Sequence, residues 1–308
     1  MIKSGKSGSG FMNILMIGGT KFIGLEVARQ LSEAGHIVTL FHRSHAKSLP
    51  YPQIKGDCNN SDALKDCIDN INPDCIIHMT AMEKSHIVSL ESALSQRMRV
   101  IIISSADVYK AFEVIHRRSD APIQEVPLCE TSPVRDVRYF YRSSGNNYEK
   151  IDVENASRES ALIEPVILRL GMVFGKNDPY RRFQSIIDKM QNNHEITLPA
   201  NVSTWRTCYG GVKNIAHGIV LAAEKGKSKE VYNLADKETF TELEWYHKFA
   251  YSLNWNGKIK VTQEDNSDYN YDQHLIMDTS KIRFELGFEE IYTAEEHLHE
   301  IVKNMKCP

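Results

Sequence analysis

"NILMIGGTKFIGLEVARQLSEAGHIVTLFHR", residues 13–43, decides the fold. NILMIGG is a short apolar run that ends in glycines, KFIGLEVARQLSEAG carries apolar residues at helical spacing and stops at Gly35, and HIVTLFHR is apolar again. The stretch therefore reads as strand, helix, strand. Its first turn runs Gly18, Gly19, Thr20, Lys21, Phe22, Ile23, Gly24. Glycines at such a turn let a pyrophosphate approach backbone amides at a helix N-terminus, where the helix dipole favours an anion. A Gly-rich turn alone is weak, but a strand before it and a helix after it point to dinucleotide binding. Lys21 stands where a further glycine is usual.

Outward from this unit the alternation continues. Strands are expected over 74–79, 99–105 and 165–170, with helices over about 85–97 and around Lys150. VKNIAHGIVLAAEKGKSKEVYNLA, from Val212, reads as one more helix and strand. Near-continuous apolar strands alternating with helices argue for a parallel sheet covered on both faces. The fold class is α/β: a Rossmann-like doubly wound parallel sheet with a smaller C-terminal substrate-binding lobe. Residues 12–171 and 212–236 are expected to form the cofactor domain and 172–211 with 237–308 the lobe. Residues 1–11, rich in Gly, Ser and Lys, read as a flexible leader with no signal-peptide character.

Composition narrows the function. The net charge of -3 gives no field that would attract nucleic acid or an anionic membrane. No apolar run reaches the ~18 residues of a spanning helix. Six cysteines form no C-x-x-C pair, so a reduced, cytoplasmic setting is expected. The histidines of HLHE (297–300) lie two apart and would face different ways on a helix, so they read as a solvated terminal helix and no metal is expected. HRR (116–118) and YRR (180–182) read as solvated loops.

At the end of the second strand His42 and Arg43 stand where an acidic residue would bind a ribose 2′-hydroxyl. A guanidinium there suits a 2′-phosphate, which favours NADP while leaving NAD open; a surface arginine without a ligand is the plain alternative. Asp57, after a third strand, could meet the adenine or simply close a turn.

Together these residues resemble the NAD-dependent epimerase/dehydratase family, the extended short-chain dehydrogenases. GGTKFIG is similar to its glycine motif in a less usual form, CIIHMTA (75–81) to its fourth-strand motif and ISSADVY (103–109) to its catalytic serine strand. LRLGMVFGKNDP (168–179) resembles the loop that passes the nicotinamide, and WRTCYGGVKNIAHGI (205–219) the segment whose arginine meets substrate phosphate. The resemblance implies NAD(P) held by residues 18–24, by Thr80, Ala81 and Ser104, and by Lys150. It implies a sugar-like, often nucleotide-linked substrate near Asp107 and Arg206, and leaves a homodimer open.

The family's catalytic set is a serine or threonine plus a tyrosine and lysine in Y-x-x-x-K. Four-residue spacing puts both on one helix face, and lowering the phenol pKa toward neutrality makes it a usable acid or base. Ser105 matches the serine and Lys150 the lysine, with Glu154 in support, but the tyrosine position holds Asn146. Asparagine cannot exchange a proton. On an ideal helix Tyr148 stands about 200° from Lys150, on the face of Asp152, so it is expected to point away. Tyr139 and Tyr141 are other donors with no spacing argument behind them.

The leading reading is an NADP-dependent epimerase, dehydratase or reductase of a nucleotide sugar or similar polyol, with Tyr148 or a bound water in the missing role. A cofactor-binding protein without turnover is the second. The third is an RNA-binding protein on the same scaffold, because the GGT-x-FIG turn and the departure from Y-x-x-x-K also resemble the chloroplast stem-loop RNA-binding branch.

Overall fold

The computed structural model of the chain describes residues 10–44, 49–144 and 147–305. The first half runs β1 (Asn13–Ile17), α1 (Phe22–Glu33), β2 (Ile37–His42), β3 (Gln53–Lys55), α2 (Ser61–Ile71), β4 (Cys75–His78), α3 (Lys84–Ala93), β5 (Met98–Ser105), α4 (Lys110–Ile115) and α5 (Lys150–Glu159). The second half runs β6 (Ile163–Leu170), β7 (Met172–Phe174), α6 (Gln184–Asn192), β8 (Glu195–Leu198), α7 (Ala200–Thr204), β9 (Tyr209–Gly211), α8 (Val212–Lys225), β10 (Val231–Leu234), α9 (Glu242–Leu253), β11 (Lys258–Val261), α10 (Ser280–Leu286) and α11 (Ala294–Met305).

Seven strands form one parallel sheet in the order β10-β6-β5-β4-β1-β2-β3. Successive residues of β1 feed opposite cores. Ile14 and Met16 pack with Val27, Leu31 and the α8 residues Ile215 and Ile219, while Leu15 and Ile17 pack with Leu64, Ile87, Leu90 and Val153. This is why the strands read as unbroken apolar runs: both faces are covered. The chain winds from β1 to β3 in one direction and from β4 to β10 in the other, so the order reverses between β1 and β4. Ligands of open α/β sheets bind outside the strand ends at such a switch point.

A separate aromatic core gathers Phe174, Phe183, Tyr209, Trp245 and Phe249 beyond β6. α3 stops at Ala93, earlier than periodicity suggests, because Leu94 turns extended and buries its side chain on the way into β5. No helix among the described residues is long and apolar enough to cross a membrane. Residues 1–9 of the expected leader lie outside the described residues, as does Asn146; Phe11 lies against Gly35 and Met12 N–H donates to His36 Nδ1.

Candidate functional site

Gly18 and Gly19 follow β1 with φ of 85° and 91°, a region that L side chains rarely adopt. A Cβ on Gly24 would stand 2.1 Å from Gly19 Cα, and one on Gly18 2.6 Å from Thr80 Cγ2. The first turn of α1 thus lies directly on the glycine turn, and that turn lies on Thr80 just past β4. Lys21 is the N-cap of α1 at φ -141°, extended backbone open to any residue, so a glycine is not needed there. The turn opens onto a cleft of about 480 Å³ that Arg43, Cys58, Thr80 and His86 also line.

Arg43 is exposed and makes no hydrogen bond or ion pair among the described residues. The neighbouring His42 turns inward, its Nε2 on Gln53. Asp57 accepts from Asn59 N–H at 2.9 Å, and Gly56 and Cys58, not Asp57, line the cleft. It closes a turn.

At the other end of the cleft lies a cavity of about 670 Å³, lined by Ser105, Asp107, Tyr141 and Tyr148 with Trp205 and Arg182. Tyr180 borders both spaces. Lys150 is buried beneath, its Nζ donating to Ala81 O at 2.6 Å and Ile103 O at 2.8 Å. Burial pushes its ammonium down to about 8, against the pull of Asp107 and Glu154.

The placement of Tyr148 overturns the helical-wheel expectation. α5 begins only at Lys150, and the N-cap Glu149 is extended at φ -153° and ψ 94°, so helix pitch does not relate Tyr148 to Lys150. The Tyr148 ring turns toward Lys150, with Nζ 5.4 Å from its centroid, and its hydroxyl bonds to Ser105 and Asp107. Burial, then the charge of Asp107, holds the phenol well above its ordinary value. Asp152, expected beside Tyr148, pairs instead with Arg138.

Glu149 is fixed from a distance. Arg135, itself buried, donates to both of its carboxylate oxygens at 2.8 and 3.0 Å, and the N–H groups of Tyr139 and Ile151 add two more bonds. Burial alone would raise this carboxyl, but these partners hold it below its usual range. Arg135 also donates to Asp107 O. Asp107 is buried, its Oδ1 has no partner among the described residues, and burial raises its pKa against the pull of Arg135.

Three expectations are corrected. Ser104 stands on the opposite face of β5 from Ser105: its buried hydroxyl is spent on Glu154 at 2.6 Å. Glu154 acts on Lys150 only through its charge, while its hydrogen bonds go to Ser104, Arg158 and Arg169. Arg206 turns toward α9, donating to Thr239 O and pairing with Glu244 at 3.6 Å, while its neighbours Trp205 and Thr207 line the cavity. The guanidinium that does line it is Arg182, held by Asp178, which the sequence offered only as part of a basic run. His297 likewise is buried rather than solvated, accepting from Lys213 N–H.

Known proteins bear on this arrangement. A curated relative, the chloroplast stem-loop binding protein of 41 kDa b of Arabidopsis thaliana, is 32% identical over 95% of this chain and 79% of its own length. Among solved structures, a putative epimerase from Burkholderia cenocepacia is similar with a TM-score of 0.75 at 17% identity, covering 98% of this chain and 100% of that one. UDP-glucose 4-epimerase from Thermotoga maritima, solved with UDP-glucose, has a TM-score of 0.71 at 18% identity, covering 96% of this chain and 99% of that one. The sequence model of the NAD dependent epimerase/dehydratase family matches residues 14–235, from the first strand through the turn, the serine strand and Lys150 to the end of the sheet, and the chain belongs to that family.

Proposed function

We propose that the chain is an NAD(P)-dependent epimerase, dehydratase or reductase of a nucleotide sugar or similar polyol, with Tyr148 in the proton-transfer role that Asn146 cannot fill. The observation that carries the reading is the meeting of Tyr148 and Ser105, with Lys150 buried beneath, at a cavity that shares Tyr180 with the glycine cleft. The cleft suits the cofactor because side-chain-free backbone at Gly18, Gly19 and Gly24 lines it at the N-terminus of α1. The backbone of 18–24 would hold the pyrophosphate, and Arg43 a 2′-phosphate, favouring NADP.

The cofactor, when bound, takes up and returns a hydride. With its pKa raised, Tyr148 rests protonated and donates to a substrate oxygen that Ser105 orients. In reverse the Lys150 ammonium beside the ring offsets the charge that develops on the phenol oxygen. The free oxygen of Asp107 can accept a substrate hydroxyl.

The test is turnover of a sugar-nucleotide panel by Tyr148→Phe and Asn146→Tyr. Tyr148→Phe should lower kcat by about 10²-fold or more, and Asn146→Tyr should give no gain. A Tyr148→Phe protein that keeps its rate sinks the assignment.

A second reading rests on the relative named for stem-loop binding and on the residues packed beside Tyr141, which lines the cavity. Arg118 stacks over Phe140 at 5.6 Å and Arg142 over Tyr139 at 4.1 Å, a basic and aromatic pairing suited to bases and phosphates. It requires tight stem-loop RNA binding that weakens steeply with salt.

A further inference from the structure

One wall of the Tyr148 cavity is a continuous run of rings. Trp205 meets Tyr271 at 5.8 Å between centroids, Tyr271 meets Tyr269 at 5.9 Å, and Tyr269 meets His116 at 5.1 Å. These three contacts are edge to face, at 83°, 82° and 84° between ring planes. His116 then lies 4.2 Å from Phe112, Phe112 6.4 Å from Tyr141, and Tyr141 5.5 Å from Tyr148. Every one of these rings lines the same cavity. Rings set at right angles present a face and an edge in turn, so a flat apolar group can be held from two sides.

Charge around this space is scarce and mostly spent. The only Asp, Glu, Lys, Arg or His side chains lining it among the described residues are Asp107, Arg182 and His116. Arg182 pairs with Asp178 and donates to Val173 O, each at 2.8 Å. His116 has Nδ1 2.8 Å from Phe112 O, and burial pushes its pKa down, so the ring is neutral at pH 7. Arg206, which resembles a substrate-phosphate anchor, faces Glu244 instead. The Lys150 ammonium beneath is turned to the Ala81 and Ile103 carbonyls. What remains is Asp107, a carboxyl. The pyrophosphate of a nucleotide sugar would therefore shed water here without gaining an unpaired cation.

We propose that the site takes a sugar or similar polyol whose attached group is an uncharged aromatic ring, in preference to a nucleoside diphosphate. That ring packs into the run between Trp205 and Phe112, while the polyol reaches Ser105 and Tyr148. The cavity, about 670 Å³, is ample for a sugar and one attached ring. The inference rests on the polyol chemistry proposed above, but it can fail while the role of Tyr148 stands.

Calorimetric titration of the full chain in saturating NADP compares phenyl α-glucoside, methyl α-glucoside and UDP-glucose, which share one sugar. Phenyl glucoside should bind saturably and about tenfold more tightly than either of the others. Trp205→Ala and Tyr271→Ala, each checked for folding by circular dichroism, should both weaken it by about tenfold and leave NADP affinity unchanged. Tyr148→Phe keeps its ring and should keep phenyl glucoside affinity, so turnover in that variant reports the catalytic role and affinity reports the substrate class. Absence of phenyl glucoside binding, methyl glucoside or UDP-glucose binding as tightly, or full affinity in both ring variants would each overturn the proposal.

Discussion

The starts of α1 and α5 present the chain's two key groups of residues, and they are built differently. Before α1 the path is set by the residues themselves: two glycines at positive φ, then an extended lysine, then a glycine with no room for a side chain. Before α5 the one local device is the cap that Glu149 makes with Ile151 N–H. Glu149 is extended because Arg135, fourteen residues earlier, grips its carboxylate, and that grip swings Tyr148 toward Lys150. The first start is a property of a short segment; the second is a property of the tertiary fold.

The sharpest way to break the local start is Gly24→Val. A branched Cβ placed 2.1 Å from Gly19 Cα must displace the turn, so dinucleotide affinity should fall by about 10³-fold or more. The surroundings of Tyr148 should stay intact, as near-ultraviolet circular dichroism would report. Cofactor binding at the original strength would show that the turn is only a turn.

The distant start is broken by Glu149→Ala, which strands a buried guanidinium. Removing one partner of a buried pair costs about 3–5 kcal/mol, to be read from denaturant unfolding. Because the folded carboxyl is held low, the contribution of Glu149 is present above its unfolded pKa and is lost as pH falls through the depressed folded value. The gap between wild type and variant should therefore close in acid. A gap that is constant with pH would mean that the charge of Glu149 is not what fixes the helix start.

The smallest effect sharpens the first region. Arg43→Ala should remove the preference for NADP over NAD by about tenfold while leaving NAD affinity alone, measured by parallel titrations. Equal losses for both cofactors would mean that Arg43 contacts something other than a 2′-phosphate.

What could be read from the chain follows the same division. The parallel sheet, its alternating helices and the glycine turn were legible because each is encoded within some twenty residues by period and by glycine placement. Expected strands at 99–105 and 165–170 match Met98–Ser105 and Ile163–Leu170 to within two residues. Tyr148 was misjudged because a helical wheel presumes that the helix has already begun. Arg206 was misjudged because strand-like alternation sends its side chain to the face of Thr241 while Trp205 and Thr207 face the cavity. Ser104 and Ser105 divide by that same alternation, which a motif does not state. The buried pairs Arg135–Glu149 and Arg169–Glu154 left no signal at all, since neither partner carries a spacing that names the other.

The extended residue ahead of α5 also frees Tyr148 from any fixed count along the chain. A side chain carried on a helix face keeps its neighbours only if insertions come in whole turns. One delivered by an extended arm is placed by reach, so its index can slide by a residue or two while the ring stays beside the same lysine. A search for this chemistry by letter spacing would discard such a chain, and a search by distance in space would keep it.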